Sequence, residues 1–271
     1  MKKIFLTLFL LTNTLVVFPQ RIHNTYDEVL QKYVKDGLVN YAGLKKDARL
    51  QKYLDILSAT DPDTLSSKSK KEAFWINAYN AFTLQVITAN YPIQSINDLN
   101  KGGMIIAQLF GTTVWDKKFI TINNKKYCLN DIEHEILRKK FKDPRIHFAL
   151  VCGALSCPNL RSEAYTADNL DSLLTEQGKL FLNDPNKNRY NLKNKVAHLS
   201  RYFDWYKDDF GDSDEKILLF ISGYLADSAV VKSIKSNPSA WNIKFIPYDW
   251  CLNVKGAKMT DKRCVFDLDS F

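Results

Sequence analysis

After its first twenty residues the chain has no apolar run approaching the roughly 20 residues that a bilayer-spanning helix needs, so the mature part is expected to hold no stable membrane span. Its basic residues form no stripe interleaved with aromatics. They stand among acids, as Arg138-Lys139-Lys140 stands near Asp143, and a nucleic-acid partner is therefore not expected. No second close cysteine pair accompanies Cys152 and Cys157, and their Cys-x4-Cys spacing is wider than that of a zinc knuckle. With only His134 and His147 to complete a donor set, no metal and no cofactor is predicted. There is also no internal repeat and no low-complexity linker, which leaves one domain long enough to bury a sizeable core.

What is present begins with a leader. Lys2 and Lys3 precede the apolar run from Ile4 to Leu11, which Leu15 to Phe18 continues after the polar Thr12-Asn13-Thr14. This reads as a signal peptide over residues 1–20, with an uncleaved anchor as the alternative; no cysteine near its end supplies a lipid anchor. The expectation is an exported protein, periplasmic or extracellular, with a domain over 21–250 and a C-terminal tail over 251–271. Losing Lys2 and Lys3 lowers the formal charge from +8 to +6, a mild basicity compatible with anionic glycans or lipid surfaces. All five cysteines, Cys128, Cys152, Cys157, Cys251 and Cys264, lie after the leader, and an oxidising compartment allows disulfides. Five is odd, so one thiol stays free or pairs between chains. Cys251 and Cys264 read as a local staple of a polar tail.

Apolar spacing predicts amphipathic helices over 25–35 and 46–58, with a short extended piece over 38–43 between them. Residues 70–90 form the longest helical pattern, apolar on most faces and stopped by Pro92, and so central to the fold. A hairpin is predicted over 118–129, turning at Asn123-Asn124-Lys125. Asn130 is read as the cap of a helix over 131–141, with Glu133 completing a capping box. The run Phe148 to Val151 reads as a buried strand opened by His147, and further helices are predicted over 168–182, 199–208 and 213–226, with a strand over 243–247. The fold class is α+β: a helix-rich single domain with a small, mainly antiparallel sheet.

The chemistry concentrates in His147-Phe148-Ala149-Leu150-Val151-Cys152-Gly153-Ala154-Leu155-Ser156-Cys157-Pro158. A thiol beside an imidazole is nucleophilic when ionised, so Cys157 with His147 or His134 is a candidate pair; a Cys152–Cys157 disulfide and two inert thiols are the alternatives. Glu133 and His134 are adjacent and do not share a helical face. Asn77 and Asn80, three apart in the apolar helix, share a face and either orient a ligand or tie loop backbone to the core. Ser67-Lys68-Ser69-Lys70 matches Ser-x-x-Lys without its usual companions and is read as coincidence. Trp205-Tyr206-Lys207-Asp208-Asp209-Phe210, aromatics beside acids, reads as core packing or as a sugar platform.

Four blocks carry a resemblance: Phe74-Trp75-Ile76-Asn77-Ala78-Tyr79-Asn80-Ala81, Asp131-Ile132-Glu133-His134-Glu135-Ile136-Leu137-Arg138, the His147 to Pro158 stretch, and Trp205 to Phe210. In kind, order and spacing they resemble the signature blocks of the DUF547 family, a family of unknown function, over about residues 35–215. The resemblance implies a portable domain, found alone in exported bacterial proteins and fused to other modules in eukaryotes. The stretch from Asn77 to Ile87, followed by Tyr91-Pro92-Ile93, is also similar to the buried helix of transglutaminase/papain-like proteins, with Asn77 where those carry cysteine and His147 in the order of their histidine. Two functions follow as expectations. One is thiol-dependent acyl transfer or amide hydrolysis with Cys157 as nucleophile, His147 as base, and His134 and Glu133 assisting. The other is a non-enzymatic module with structural cysteines that binds a peptide or glycan through Asn77, Asn80, Ser156 and Arg138.

Overall fold

The computed structural model describes residues 22–100, 103, 107, 109–258 and 264–266; the leader reading over 1–20 lies outside them. The fold is α+β and helix-rich, with small and mostly antiparallel sheets. The first helix, α1 (Asn24–Tyr33), leads into a two-stranded ribbon, β1 (Val34–Lys35) and β2 (Leu38–Val39). The extended piece expected to run to Gly43 ends earlier. Asn40 accepts a hydrogen bond from the Gly43 amide at 3.0 Å and starts the short helix α2 (Tyr41–Leu44). Helix α3 (Ala48–Ala59) follows, capped by the Asp47 carboxylate on the Arg49 amide.

Helix α4 (Lys68–Asn90) is the axle. Ser67 caps it by accepting from the Lys70 amide, which gives the Ser-x-x-Lys match a purely structural origin. Every position from Glu72 to Leu84 is buried, because α2, α3 and the helix over 131–141 pack around it. The hairpin β3 (Ile120–Ile122) and β4 (Lys125–Tyr127) turns through Asn123 and Asn124, whose φ of 47° and 60° suit a primed turn.

Helix α5 (Asp131–Phe141) is of the wide π type and starts differently from the capping box expected. Asn130 makes no capping bond; its side chain donates to Asp116 Oδ1 at 2.7 Å. Asp131 does the local work instead, accepting from the Cys128 amide at 2.8 Å. Glu133 is thereby free to turn inward.

The largest correction concerns the expected strand opened by His147. His147 sits in a 3-10 segment (Pro144–Phe148) that begins with Pro144 and is capped by Asp143. Residues 149–153 then run irregularly through the core. A buried backbone needs its hydrogen bonds met. Here side-chain amides replace strand neighbours: Asn80 donates to Ala149 O and accepts from Val151 N, both at 2.9 Å, and Gln177 donates to Phe148 O at 3.1 Å.

Helix α6 (Leu170–Leu182) precedes a three-stranded sheet of β5 (Arg189–Asn191), β6 (Val196–Ser200) and β7 (Asn242–Ile246). β5 pairs antiparallel and β7 parallel with β6. Sequence periodicity suggested a helix over 199–208, but β6 occupies its start; α7 (Tyr202–Trp205) and a 3-10 turn (Lys207–Phe210) fill the rest. Gly211, at φ 122°, turns the chain toward α8 (Asp214–Ser222), and α9 (Ser228–Ser236), absent from the sequence reading, follows. β8 (Tyr248–Asp249) pairs with β9 (Val265–Phe266). Between them the tail lies across the 152–157 loop, with Leu155 N donating to Cys251 O and Asn253 N to Gly153 O, both at 2.8 Å.

Candidate functional site

Charged and aromatic side chains from α5, the 3-10 segment and the Trp205 to Phe210 stretch converge at one edge of the core. Arg138 grips Asp209 with two bonds, Nε to Oδ2 at 2.5 Å and Nη2 to Oδ1 at 3.1 Å. His147 Nε2 meets the same Oδ2 at 2.7 Å. Burial alone would raise the Asp209 carboxyl, but the bonds from His147 and Arg138 outweigh it and hold the group well below the usual carboxylate range. Asp209 is therefore an acceptor only, and His147 must donate from Nε2, which fixes its tautomer when neutral. Arg138 has donors only, so its Nη1, 3.0 Å from His134 Nδ1, makes that nitrogen an acceptor. One guanidinium thus orients a carboxylate and a second imidazole.

Tyr206 is the floor of this cluster. Its ring stacks on His147, with centroids 3.9 Å apart, and the Arg138 guanidinium lies 5.2 Å from its centroid. Burial, then the nearby Glu133 charge, pushes the Tyr206 hydroxyl well above its ordinary value, and Tyr79 is raised for the same two leading causes. Both hydroxyls stay protonated and bond to Glu133, which is itself buried. His147 is almost wholly enclosed, whereas the Arg138 and Asp209 side chains are each 25% exposed. The cluster therefore has a buried base and an open rim, where His134 and one side of Tyr206 are half-buried. Trp205, next to Tyr206 in the chain and also half-buried, packs on Tyr202, Tyr248 and Trp250.

The cysteines occupy a neighbouring layer. Cys152 and Cys157 pair as a disulfide, as do Cys251 and Cys264, while Cys128 is free and buried. Cys157 Sγ lies 3.3 Å from the Tyr202 hydroxyl and 3.1 Å from that of Tyr248. Tyr202 in turn packs edge-on against Tyr206. Contact from His147 to Cys157 thus passes through two tyrosines, and among the described residues no hydrogen bond joins the pair. The other expected ligand residues are spent on backbone. Asn77 donates to Tyr165 O at 2.7 Å and accepts from Tyr165 N at 3.1 Å. Asn80 holds Ala149 and Val151, and Ser156 Oγ accepts from Asp249 N at 2.8 Å.

Asp209 and the tyrosines were not among the site residues expected from sequence. Asp209 and Tyr206 do stand in the fourth block, and the acid next to aromatics was the available signal. Tyr79 lies in the first block, masked there as one more apolar position in a buried helix. Among the described residues no group of three or more His, Cys, Asp or Glu side chains is arranged to hold a metal. A shallow cleft lined by Arg189, Tyr190, Asn191, Leu192 and His198 lies on the β5–β6 ribbon and shares no residue with the cluster.

No curated protein and no solved structure matches the chain, so the likeness of α4 to a transglutaminase-type helix stands on sequence alone. Residues 62–182, which hold α4, Glu133, Arg138, His147 and both cysteines of the 152–157 loop, match the family described as "Protein of unknown function, DUF547".

Proposed function

We propose that the protein is a non-covalent binding module for a glycan, held at the rim formed by Trp205, Tyr206, His134, Arg138 and Asp209. The supporting observation is the character of that rim: half-buried aromatics beside a carboxylate, a guanidinium and an imidazole whose orientations are already fixed. Sugars offer CH faces to aromatic rings and hydroxyls to planar polar groups, and a site with few, well-oriented polar groups suits them. The thiol-enzyme alternative needs a free Cys157, and that residue is 1% exposed and paired with Cys152.

Calorimetric titration with neutral and acidic oligosaccharides, and with peptides as the contrast, tests the reading. Binding of an oligosaccharide is expected, weakened at least about tenfold in a folded Trp205→Ala variant. Binding of peptides alone, or turnover of an amide substrate by the untreated protein, would replace it. Iodoacetamide without reductant is expected to leave Cys152 and Cys157 unlabelled. We further propose that residues 1–20 direct export, a reading that two disulfide pairs favour. N-terminal sequencing of the protein from its native compartment is expected to begin near residue 21.

A further inference from the structure

We propose that Cys152–Cys157 is a redox-active disulfide that exchanges electrons with a small or protein-borne dithiol, Cys152 being the sulfur attacked and Cys157 the leaving thiolate. The two cysteines differ in burial and in the surroundings of their sulfurs. Cys152 is 8% exposed and Cys157 only 1%. Three donors converge on Cys157 Sγ: the Cys152 amide at 3.2 Å, the Tyr202 hydroxyl at 3.3 Å and the Tyr248 hydroxyl at 3.1 Å. Cys152 Sγ has the Tyr248 hydroxyl alone, at 3.5 Å. A disulfide sulfur carries no hydrogen, so in the tyrosine contacts only the hydroxyls can donate, each with a single hydrogen.

Such donors do little for a neutral disulfide and much for a thiolate. A leaving sulfur stabilised as its anion leaves faster, and a stabilised reduced form makes the disulfide a stronger oxidant. Burial shifts both tyrosine hydroxyls upward, so they remain protonated beside a thiolate. The two hydroxyls also bond to each other, which occupies one of their two hydrogens, and a thiolate at Cys157 draws that hydrogen toward the sulfur. The second pair lacks this character on its Cys264 side, where Sγ faces an acceptor, the Gln94 carbonyl, at 4.0 Å. The loop between the reactive pair is short, and Gly153 holds φ 85°, where a Cβ would lie 2.5 Å from Ile87 Cδ1. The loop therefore packs directly against α4, which holds Cys152 in place.

The step balances. A donor thiolate attacks Cys152 Sγ, the Cys152–Cys157 bond breaks, and its electron pair goes to Cys157. The donor's second thiol, as thiolate, then attacks its own sulfur in the mixed disulfide and releases Cys152. The donor becomes a disulfide, losing two electrons and two protons, and the two cysteines gain them.

The test uses the full mature chain in buffers of stepped reduced-to-oxidised dithiothreitol ratio, quenched with an alkylating agent and mapped by mass spectrometry. Cys152–Cys157 is expected to reduce at a ratio at least about tenfold milder than Cys251–Cys264, about 30 mV for a two-electron couple. Tyr202→Phe and Tyr248→Phe, which delete only the hydroxyls, are each expected to move that ratio toward stronger reductant by several-fold while leaving the Cys251–Cys264 ratio in place. A monothiol donor is expected to be trapped on Cys152 of the unaltered protein, a readout independent of whether the variants fold. Equal ratios for the two pairs, unchanged ratios in folded Phe variants, or trapping on Cys157 would each overturn the proposal.

Discussion

Asn77, Asn80 and Gln177 are as deeply buried as Glu133 and His147, at 1%, 3% and 2% exposure against 5% and 1%. The two sets nonetheless differ in what they hold. The amides bond chiefly to backbone: Asn77 to Tyr165, Asn80 to Ala149 and Val151, and Gln177 to Phe148 and Asn159, its oxygen also accepting from Arg161 Nη1 at 3.3 Å. The charged set bonds to other side chains that reach the surface, His147 through Asp209 to Arg138 and Glu133 through Tyr206. An amide carries both donor and acceptor and satisfies irregular backbone without importing charge. A carboxylate or imidazolium inside a fold costs far more unless paired and is tolerated near a rim. The amides are thus scaffold, and the charged cluster is the edge at which ligand binding is proposed.

The largest effect should come from breaking the scaffold at Asn80. Asn80→Leu keeps the branching of the side chain but strands the Ala149 carbonyl and the Val151 amide together, and loss of about 3 kcal/mol or more is expected in urea unfolding. Asn77→Leu strands the Tyr165 groups and is expected to cost about 1–3 kcal/mol. A melt unchanged within error for either variant would move that residue from scaffold to ligand site.

The same comparison explains what the sequence discloses. Helix α4 was legible because its apolar positions cover all faces and Pro92 ends it, and the β3–β4 hairpin because Asn123 and Asn124 tolerate positive φ. The run Phe148 to Val151 was not, since four apolar residues suit either a strand or an irregular core segment. What decides between them is Asn80, 69 and 71 positions away from the groups it satisfies. Glu133 was misread for the related reason that Asp131, two residues earlier, takes the local bond. The chemical neighbourhood was legible in part: His147, Arg138, His134 and Glu133 do meet. Asp209, which joins them, lies 62 residues from His147 and 71 from Arg138, and no local pattern announces that contact.

In the charged cluster Asp209→Asn should give a smaller, pH-dependent effect. A carboxyl held low when folded binds its proton less readily than in the unfolded chain, so its contribution is present above the unfolded value of about 4 and is lost as pH falls toward the depressed folded value. Asp47 and Asp131 are held low as well, so the wild-type acid slope is not due to Asp209 alone. The difference between wild type and Asp209→Asn isolates it: the variant is expected to be less stable at pH 7, by about 1–2 kcal/mol, and to converge on wild type in acid. A constant gap between the two curves from pH 7 to pH 2 would deny Asp209 its ionic partners.

The smallest effect should come from Glu72, which belongs to neither set. It is 6% exposed on α4, and its Oε1 has no hydrogen-bond partner. Burial first, and the Asp143 charge second, raise its carboxyl to about 7, against the opposing charges of Lys68 and Arg145. The sign here is opposite to that of Asp209. The folded chain binds this proton more tightly than the unfolded chain, so the stability tied to it is full below about 4.5 and is lost as pH rises through about 7. Glu72→Gln keeps the shape and never ionises. Near pH 5 the variant and wild type are expected to unfold within about 0.5 kcal/mol of each other. At pH 8.5 the variant is expected to be the more stable, because wild type must then bury a charge without a bonded partner. Thermal melts at the two pH values provide the measurement. A wild type that gains on the variant as pH rises would mean that Glu72 has a cationic partner when ionised, and would move it into the charged set.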